Sequence, residues 1–177
     1  MRFTRMLSLS AVAAAVLAST ATAQRPIELG VDGAVIIGTG DDSYTRIALP
    51  VGMFRVGFFM TDRTSIEPSL AFNYVKFKDA DDGVTTLEAD VGAVYHLQPS
   101  RASSQIFIRP AVGISTFSAG DESDSQVNLA IGLGLKNPLM DRLSSRFEAR
   151  LIHALESGDL PAQTSIALLA GLSFFTR

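Results

Sequence analysis

The 177-residue chain is about one domain long, has no cysteine, and carries 15 Lys+Arg against 18 Asp+Glu for a formal net charge of −3. The missing cysteines exclude a disulfide framework and a thiolate metal site. The acidic balance argues against nucleic acid, which a basic surface would serve, so no nucleic-acid partner is expected.

Residues 1–23, MRFTRMLSLSAVAAAVLASTATA, place Arg2 and Arg5 before an apolar run from Met6 to Ala18, followed by Ala21-Thr22-Ala23. A charged start, a short apolar stretch and an A-x-A site predict a secretory signal peptide, and the run is too short for a typical spanning helix. The expected domain then covers residues 24–177, with 13 basic residues against 18 acidic ones, because Arg2 and Arg5 leave with the leader. Export removes cytoplasmic functions from consideration.

Beyond residue 24 no segment holds a helical period, and period-two alternation recurs instead. In IELGVDGAVII, Ile27, Leu29, Val31, Val35 and Ile37 oppose Glu28, Gly30, Asp32 and Ala34. In TRIALPVGM, Ile47, Leu49, Val51 and Met53 oppose Arg46, Ala48, Pro50 and Gly52; Val56 and Phe58 then continue one step out of phase, which predicts a bulge near Phe54–Arg55. SIEPSLAFNYVKF sets Ile66, Leu70, Phe72 and Tyr74 against Glu67, Ser69, Ala71 and Asn73, and TTLEADVGAVYHL sets Leu87, Val91 and Tyr95 against Glu88, Asp90, Gly92 and His96. QIFIRPAVGIS sets Ile106, Ile108, Val112 and Ile114 against Phe107, Arg109, Ala111 and Gly113. VNLAIGLGLK has Val127, Leu129, Ile131, Leu133 and Leu135 on one face and Asn128, Ala130, Gly132, Gly134 and Lys136 on the other. RLSSRFEARLIHAL opposes Phe147, Ala149, Leu151 and His153 to Arg146, Glu148 and Arg150, and TSIALLAGLSFF opposes Ile166, Leu168, Leu172 and Phe174 to Ser165, Ala167, Gly171 and Ser173. Pro50, Pro68 and Pro110 fall inside these runs, where proline cannot donate to a ladder; bulges or strand ends would accommodate them.

Eight runs of about ten residues have the length that crosses a bilayer when tilted. Soluble surfaces carry abundant Lys and Glu, yet the polar face here is largely Gly, Ala and Ser, and the chain has only Lys76, Lys78 and Lys136. Small residues with paired charges suit a narrow barrel interior, which leaves the aliphatic face for lipid. The connections alternate too. GTGDDSY, KDADDGV, SAGDESDSQ and ESGDLPAQ hold Asp41, Asp42, Asp79, Asp81, Asp82, Asp121, Glu122, Asp124, Glu156 and Asp159, whereas MTDRT, QPSRASSQ and NPLMDR each carry an arginine, Arg63, Arg101 and Arg142. Short periplasmic turns and longer polar outer loops mark an outer-membrane barrel. Tyr44 and Tyr74 fall at the outer rim, and Phe58, Tyr95 and Phe174 at the inner one, as interfacial girdles would.

With its leader, eight alternating strands, tight TDR-type turns and final GLSFF strand, the chain resembles the OmpA/OmpX-like family of small eight-stranded outer-membrane barrels over its whole mature length. The resemblance implies an all-β, antiparallel, up-and-down transmembrane β-barrel. It also implies insertion by the outer-membrane assembly machinery through an aromatic-ending last strand; here Thr176 and Arg177 follow Phe175.

Chemistry on such a barrel needs nucleophile, base and orienting group within mutual reach. His153 has only Leu151 and Leu155 as same-face neighbours, His96 lies on the polar face near the periplasmic end, and no histidine falls in an outer connection, so no enzyme is expected. DADDG, Asp79–Gly83, lacks the spacing and terminal Glu of a calcium loop, and no metal or cofactor is assigned. The charges expected in the lumen are Glu28, Asp32, Arg46, Glu67, Glu88, Asp90, Arg109, Lys136, Arg146, Glu148 and Arg150. A salt-bridged plug is the reading favoured by the width of an eight-stranded barrel. The expected role is structural, envelope-stabilising or surface-interacting through the acidic outer connections, in contact with outer-membrane lipid and lipopolysaccharide. The alternatives are a narrow small-solute channel and a soluble periplasmic ligand-binding barrel.

Overall fold

Alternating β-branched and aromatic residues favour pleated strands with one apolar face, and the chain uses that pattern throughout. The computed structural model describes residues 25–39, 45–75, 84–98, 103–120, 122–158 and 160–176; the expected signal peptide lies outside them. Among the described residues there are eight strands: β1 (Ile27–Thr39), β2 (Thr45–Phe59), β3 (Thr64–Val75), β4 (Val84–His96), β5 (Gln105–Ala119), β6 (Glu122–Met140), β7 (Leu143–Ala154) and β8 (Gln163–Phe175). Each pairs antiparallel with the next, and β1 closes on β8 from Glu28↔Phe175 to Thr39↔Thr164. Closure leaves no open sheet edge around the barrel wall, and both chain ends of the barrel fall at one end of it.

The aliphatic face points outward. Leu133 is 59% exposed, Val112 55% and Ile131 54%, while Glu28, Glu67 and Arg109 on the opposite face are sealed inside. A continuous apolar belt of this extent suits hydrocarbon rather than water. Phe58, Tyr95 and Phe174 lie outward near the end that carries the termini, and Tyr74 lies outward near the opposite end; Tyr44 lies outside the described residues.

Proline explains where the ladders break. The β2–β3 register runs through Arg55↔Ser69 and resumes at Phe58↔Ile66, skipping Pro68. The β4–β5 register skips Pro110, passing from Gly92↔Ala111 to Tyr95↔Ile108. A missing N–H toward one neighbour produces such a gap without disturbing the other neighbour, and indeed Pro68↔Val91 and Pro110↔Ile131 remain paired. Pro138 sits at the irregularity between Pro138 and Met140 on β6.

The predicted bulge lies earlier than expected. Pairing passes from Asp32↔Met53 to Ala34↔Ala48, a step of two residues on β1 and five on β2. The three extra residues of β2, in the segment containing Pro50, reverse its phase before Met53 rather than at Phe54–Arg55. Met53 is consequently buried in the lumen instead of facing lipid. Two connections are also shorter than expected. SAGDESDSQ is mostly strand, with Ala119↔Glu122 closing a tight hairpin, and NPLMDR is strand up to Met140↔Leu143.

Candidate functional site

The lumen has three layers along the barrel axis. At the end near the termini, His96 on β4 stacks on Phe59 of β2 (centroids 5.6 Å apart, planes 18° apart), with Phe107 of β5 and Phe175 of β8 at 6.1 and 6.3 Å from these rings. His96 Nδ1 lies 3.2 Å from the Arg63 carbonyl, and Lys136 Nζ lies 3.2 Å from Nε2. An N–H on Nδ1 and a lone pair on Nε2 satisfy both contacts. Phe175 is thus a lumen residue, and Phe174 is the outward aromatic of the last strand.

Above this layer, ten charged side chains from β1 to β7 meet, five carboxylates and five cations among the described residues. Glu28 takes Arg55 and Lys136, each at 2.6 Å. Arg55 also donates Nε to Asp32 at 2.7 Å and Nη2 to Ser173 Oγ at 2.8 Å. Glu67 accepts Arg146 Nη1 at 2.6 Å and Arg109 Nε at 2.8 Å, with Arg55 Nη1 at 3.6 Å. Arg109 continues to Asp90, Arg146 to Glu148 at 2.6 Å, and Arg150 to Glu148 at 2.9 Å and Asp90 at 3.2 Å. Arg146 lies over the Phe107 ring with Cζ 4.3 Å from the centroid, which joins the charged layer to the aromatic one by a cation–π contact. Equal numbers of opposite charges, chained by hydrogen bonds, satisfy the condition under which buried ions are tolerated. Arg109 Nη1 is the exception, a buried donor with no partner among the described residues.

Glycines seat these groups. A Cβ on Gly132 would strike the Glu148 carboxylate, one on Gly134 the Phe107 ring, and one on Gly30 the Arg55 guanidinium. The thin face of VNLAIGLGLK is therefore the mould for side chains from neighbouring strands.

Of the sequence-expected lumen charges, Glu28, Asp32, Glu67, Asp90, Arg109, Lys136, Arg146, Glu148 and Arg150 meet in this network. Glu88 lies higher, on the wall of a cavity. The Arg46 and Glu122 side chains, and Asp41, Asp42, Asp79, Asp81, Asp82, Asp121 and Asp159 altogether, lie outside what the structure describes. Asp124 and Glu156 are exposed, the first on β6 and the second just after β7. Sequence reasoning missed Arg55, which touches three acids. The reversed phase of Val56 and Phe58, extended back to Phe54, would have turned Arg55 inward.

The third layer is the cavity, about 390 Å³, between the Asp90–Arg150 pair and the end opposite the termini. On the outer surface, His153 is exposed with its Nδ1 3.0 Å from the Thr164 hydroxyl.

Solved structures share this architecture at low identity. Neisserial surface protein A matches with a TM-score of 0.63 and 12% identity, over 85% of this chain and 99% of that one. Ail, the attachment invasion locus protein of Yersinia pestis, matches at 0.52 and 14%, over 85% and 97%. The outer membrane enzyme PagL matches at 0.50 and 19%, over 79% and 97%. No curated protein matches the sequence. Residues 6–174 match the family described as outer membrane protein beta-barrel domain, and the chain belongs to that family of eight-stranded outer-membrane barrels.

Proposed function

We propose that this chain is a non-enzymatic outer-membrane barrel that stabilises the envelope or engages surface partners through the acidic connections at its outer end. The observation that carries the reading is the closed lumen: a balanced charge network over an aromatic layer fills the barrel's width and opposes a conducting role. Residues of β6 from Glu122 to Gln126 add support. They pair with β5 but extend past Asn128↔Ala154, where the β7 ladder ends, so among the described residues no strand pairs with the other edge of this tip, although Gln126 Nε2 donates to the Pro161 carbonyl. An exposed edge can accept an added strand. His153 also favours a non-enzymatic role, since its hydrogen-bond partner among the described residues is a threonine hydroxyl rather than a carboxylate. Insertion by the assembly machinery and contact with lipopolysaccharide belong to the same reading.

The test is complementation of cells lacking the chain, scored by resistance to a bulky hydrophobic antibiotic. Wild type is expected to restore the barrier. A variant with the ten acidic outer residues, Asp41 to Asp159, changed to Asn or Gln is expected to insert, shown by a mobility shift on boiling, but not to restore it. Full restoration by that variant excludes the acidic connections from the function.

A further inference from the structure

At mid-height the outward side chains of β7, β8 and β1 are apolar. At the end opposite the termini they change. One ladder row there carries His153 on β7, Thr164 on β8 and Thr39 on β1, paired as His153↔Thr164 and Thr39↔Thr164. The outward row beneath it is Leu151, Ile166 and Ile37. Thr39 Oγ1 donates to the Thr164 carbonyl at 3.0 Å, and His153 Nδ1 lies 3.0 Å from Thr164 Oγ1. With that hydroxyl donating to Nδ1, the ring N–H is on Nε2, which has no partner among the described residues. A polar donor on a lipid-facing wall costs free energy until something accepts from it.

A second feature lies directly below. A shallow groove of about 690 Å³ runs over Ala149 and Ala170, between the bulkier Leu133, Leu135, Phe147 and Leu168. That volume is within the range of ligand pockets. Ala149 is four residues down β7 from His153, and Ala170 is six down β8 from Thr164. At about 3.3 Å per residue and a tilt of about 40°, the groove is roughly 10–15 Å deeper than the histidine row. Half of a hydrocarbon core of about 30 Å is the same depth. The row and the groove are thus spaced as the head and the chain end of one lipid. Charge selects the head. A phosphate oxygen suits the Nε2–H, but Glu156 is exposed just past β7 and the neighbouring connections are acidic. A field of that sign disfavours an anionic head and favours one whose outermost group is a cation.

We propose that the β7–β8–β1 wall binds one molecule of phosphatidylethanolamine. Its phosphate accepts from His153 Nε2, its ammonium turns toward Glu156, and one acyl chain ends over Ala149 and Ala170. The site rests on the outer-membrane reading above, which puts lipid against this wall.

The experiment is native mass spectrometry of the delipidated barrel in non-ionic detergent, titrated with phosphatidylethanolamine and, separately, with phosphatidylglycerol. One retained phosphatidylethanolamine per barrel is expected, at clearly lower lipid concentration than phosphatidylglycerol. His153→Leu is expected to weaken it about tenfold, the loss of one hydrogen bond to a charged group. Ala149→Phe, which fills the groove, is expected to weaken it by a comparable factor; Ala170→Leu replaces it if that variant shows no mobility shift on boiling. Leu70→Phe, outward on β3 and four strands from β7, is expected to bind as wild type does. Equal retention of the two lipids overturns the choice of head, and unchanged retention in both the His153 and the groove variants overturns the site. A wild type that shifts on boiling yet retains no lipid sinks this proposal alone, whereas a wild type without the shift sinks the outer-membrane reading beneath it.

Discussion

Glu67, like Glu28, faces three cations in the lumen. It faces Arg55, Arg109 and Arg146 while sealed from solvent. Removing one partner of a buried ion pair costs far more than the pair contributes, because the remaining charges stay desolvated. Glu67→Gln is therefore expected to destabilise the barrel by about 3 kcal/mol or more, read as a lower temperature for loss of the fast-migrating folded form. An unchanged midpoint would mean that the three arginines find water or other acids. The glycines offer a second contrast. A Cβ on Gly171 meets the Val31 carbonyl, a backbone atom that cannot swing away, whereas one on Gly57 comes 3.1 Å from the Glu28 Cβ. Gly171→Ala is expected to lower the same midpoint clearly more than Gly57→Ala; equal effects would show that β1 and β8 can separate locally.

At the level of single strands, β6 is the longest at 19 residues, and its first five outrun the β7 pairing. Among the described residues, amides there have one neighbouring strand instead of two. Hydrogen exchange is expected to be fast over Glu122–Gln126 and slow over Ile131–Leu135; uniform protection along β6 would mean that another segment covers the tip. This overhang was not legible in SAGDESDSQ, whose polar composition resembles a loop. Whether such a segment continues a ladder depends on how far β5 extends beside it, and that is a property of the partner. The alternation itself was legible, because period two is written into each run and every run has the same two faces. It failed only in β2, where the extra residues around Pro50 shifted the phase before the sequence showed a mismatch, so Met53 was assigned outward and Arg55 was left out of the lumen.

For the whole molecule, closure of the lumen makes a direct electrical prediction. Purified barrel in a planar bilayer is expected to be silent. A steady conductance that changes with Arg109→Gln or Glu148→Gln would replace the plug with a pore. That charges would gather inside was readable from their side of each strand, but the partners were not, since Glu28 meets Lys136 across 108 positions of sequence. Which acid faces which base depends on the stagger between strands, and alternation says nothing about stagger. The same long-range pairing sets an order of events in time. In an open sheet only the pairs on one strand or on adjacent strands can form, such as Arg55 with Glu28 and Asp32, so charges destined for partners across the lumen would remain hydrated. The pairs that cross the lumen, Lys136 with Glu28, Arg146 with Glu67 and Arg150 with Asp90, come within bonding distance only as β8 approaches β1 and the barrel closes. Closing the β1–β8 seam thus also completes the neutralisation of the interior, so an intermediate stalled before that seam would remain wet, partly charged and poorly suited to hydrocarbon.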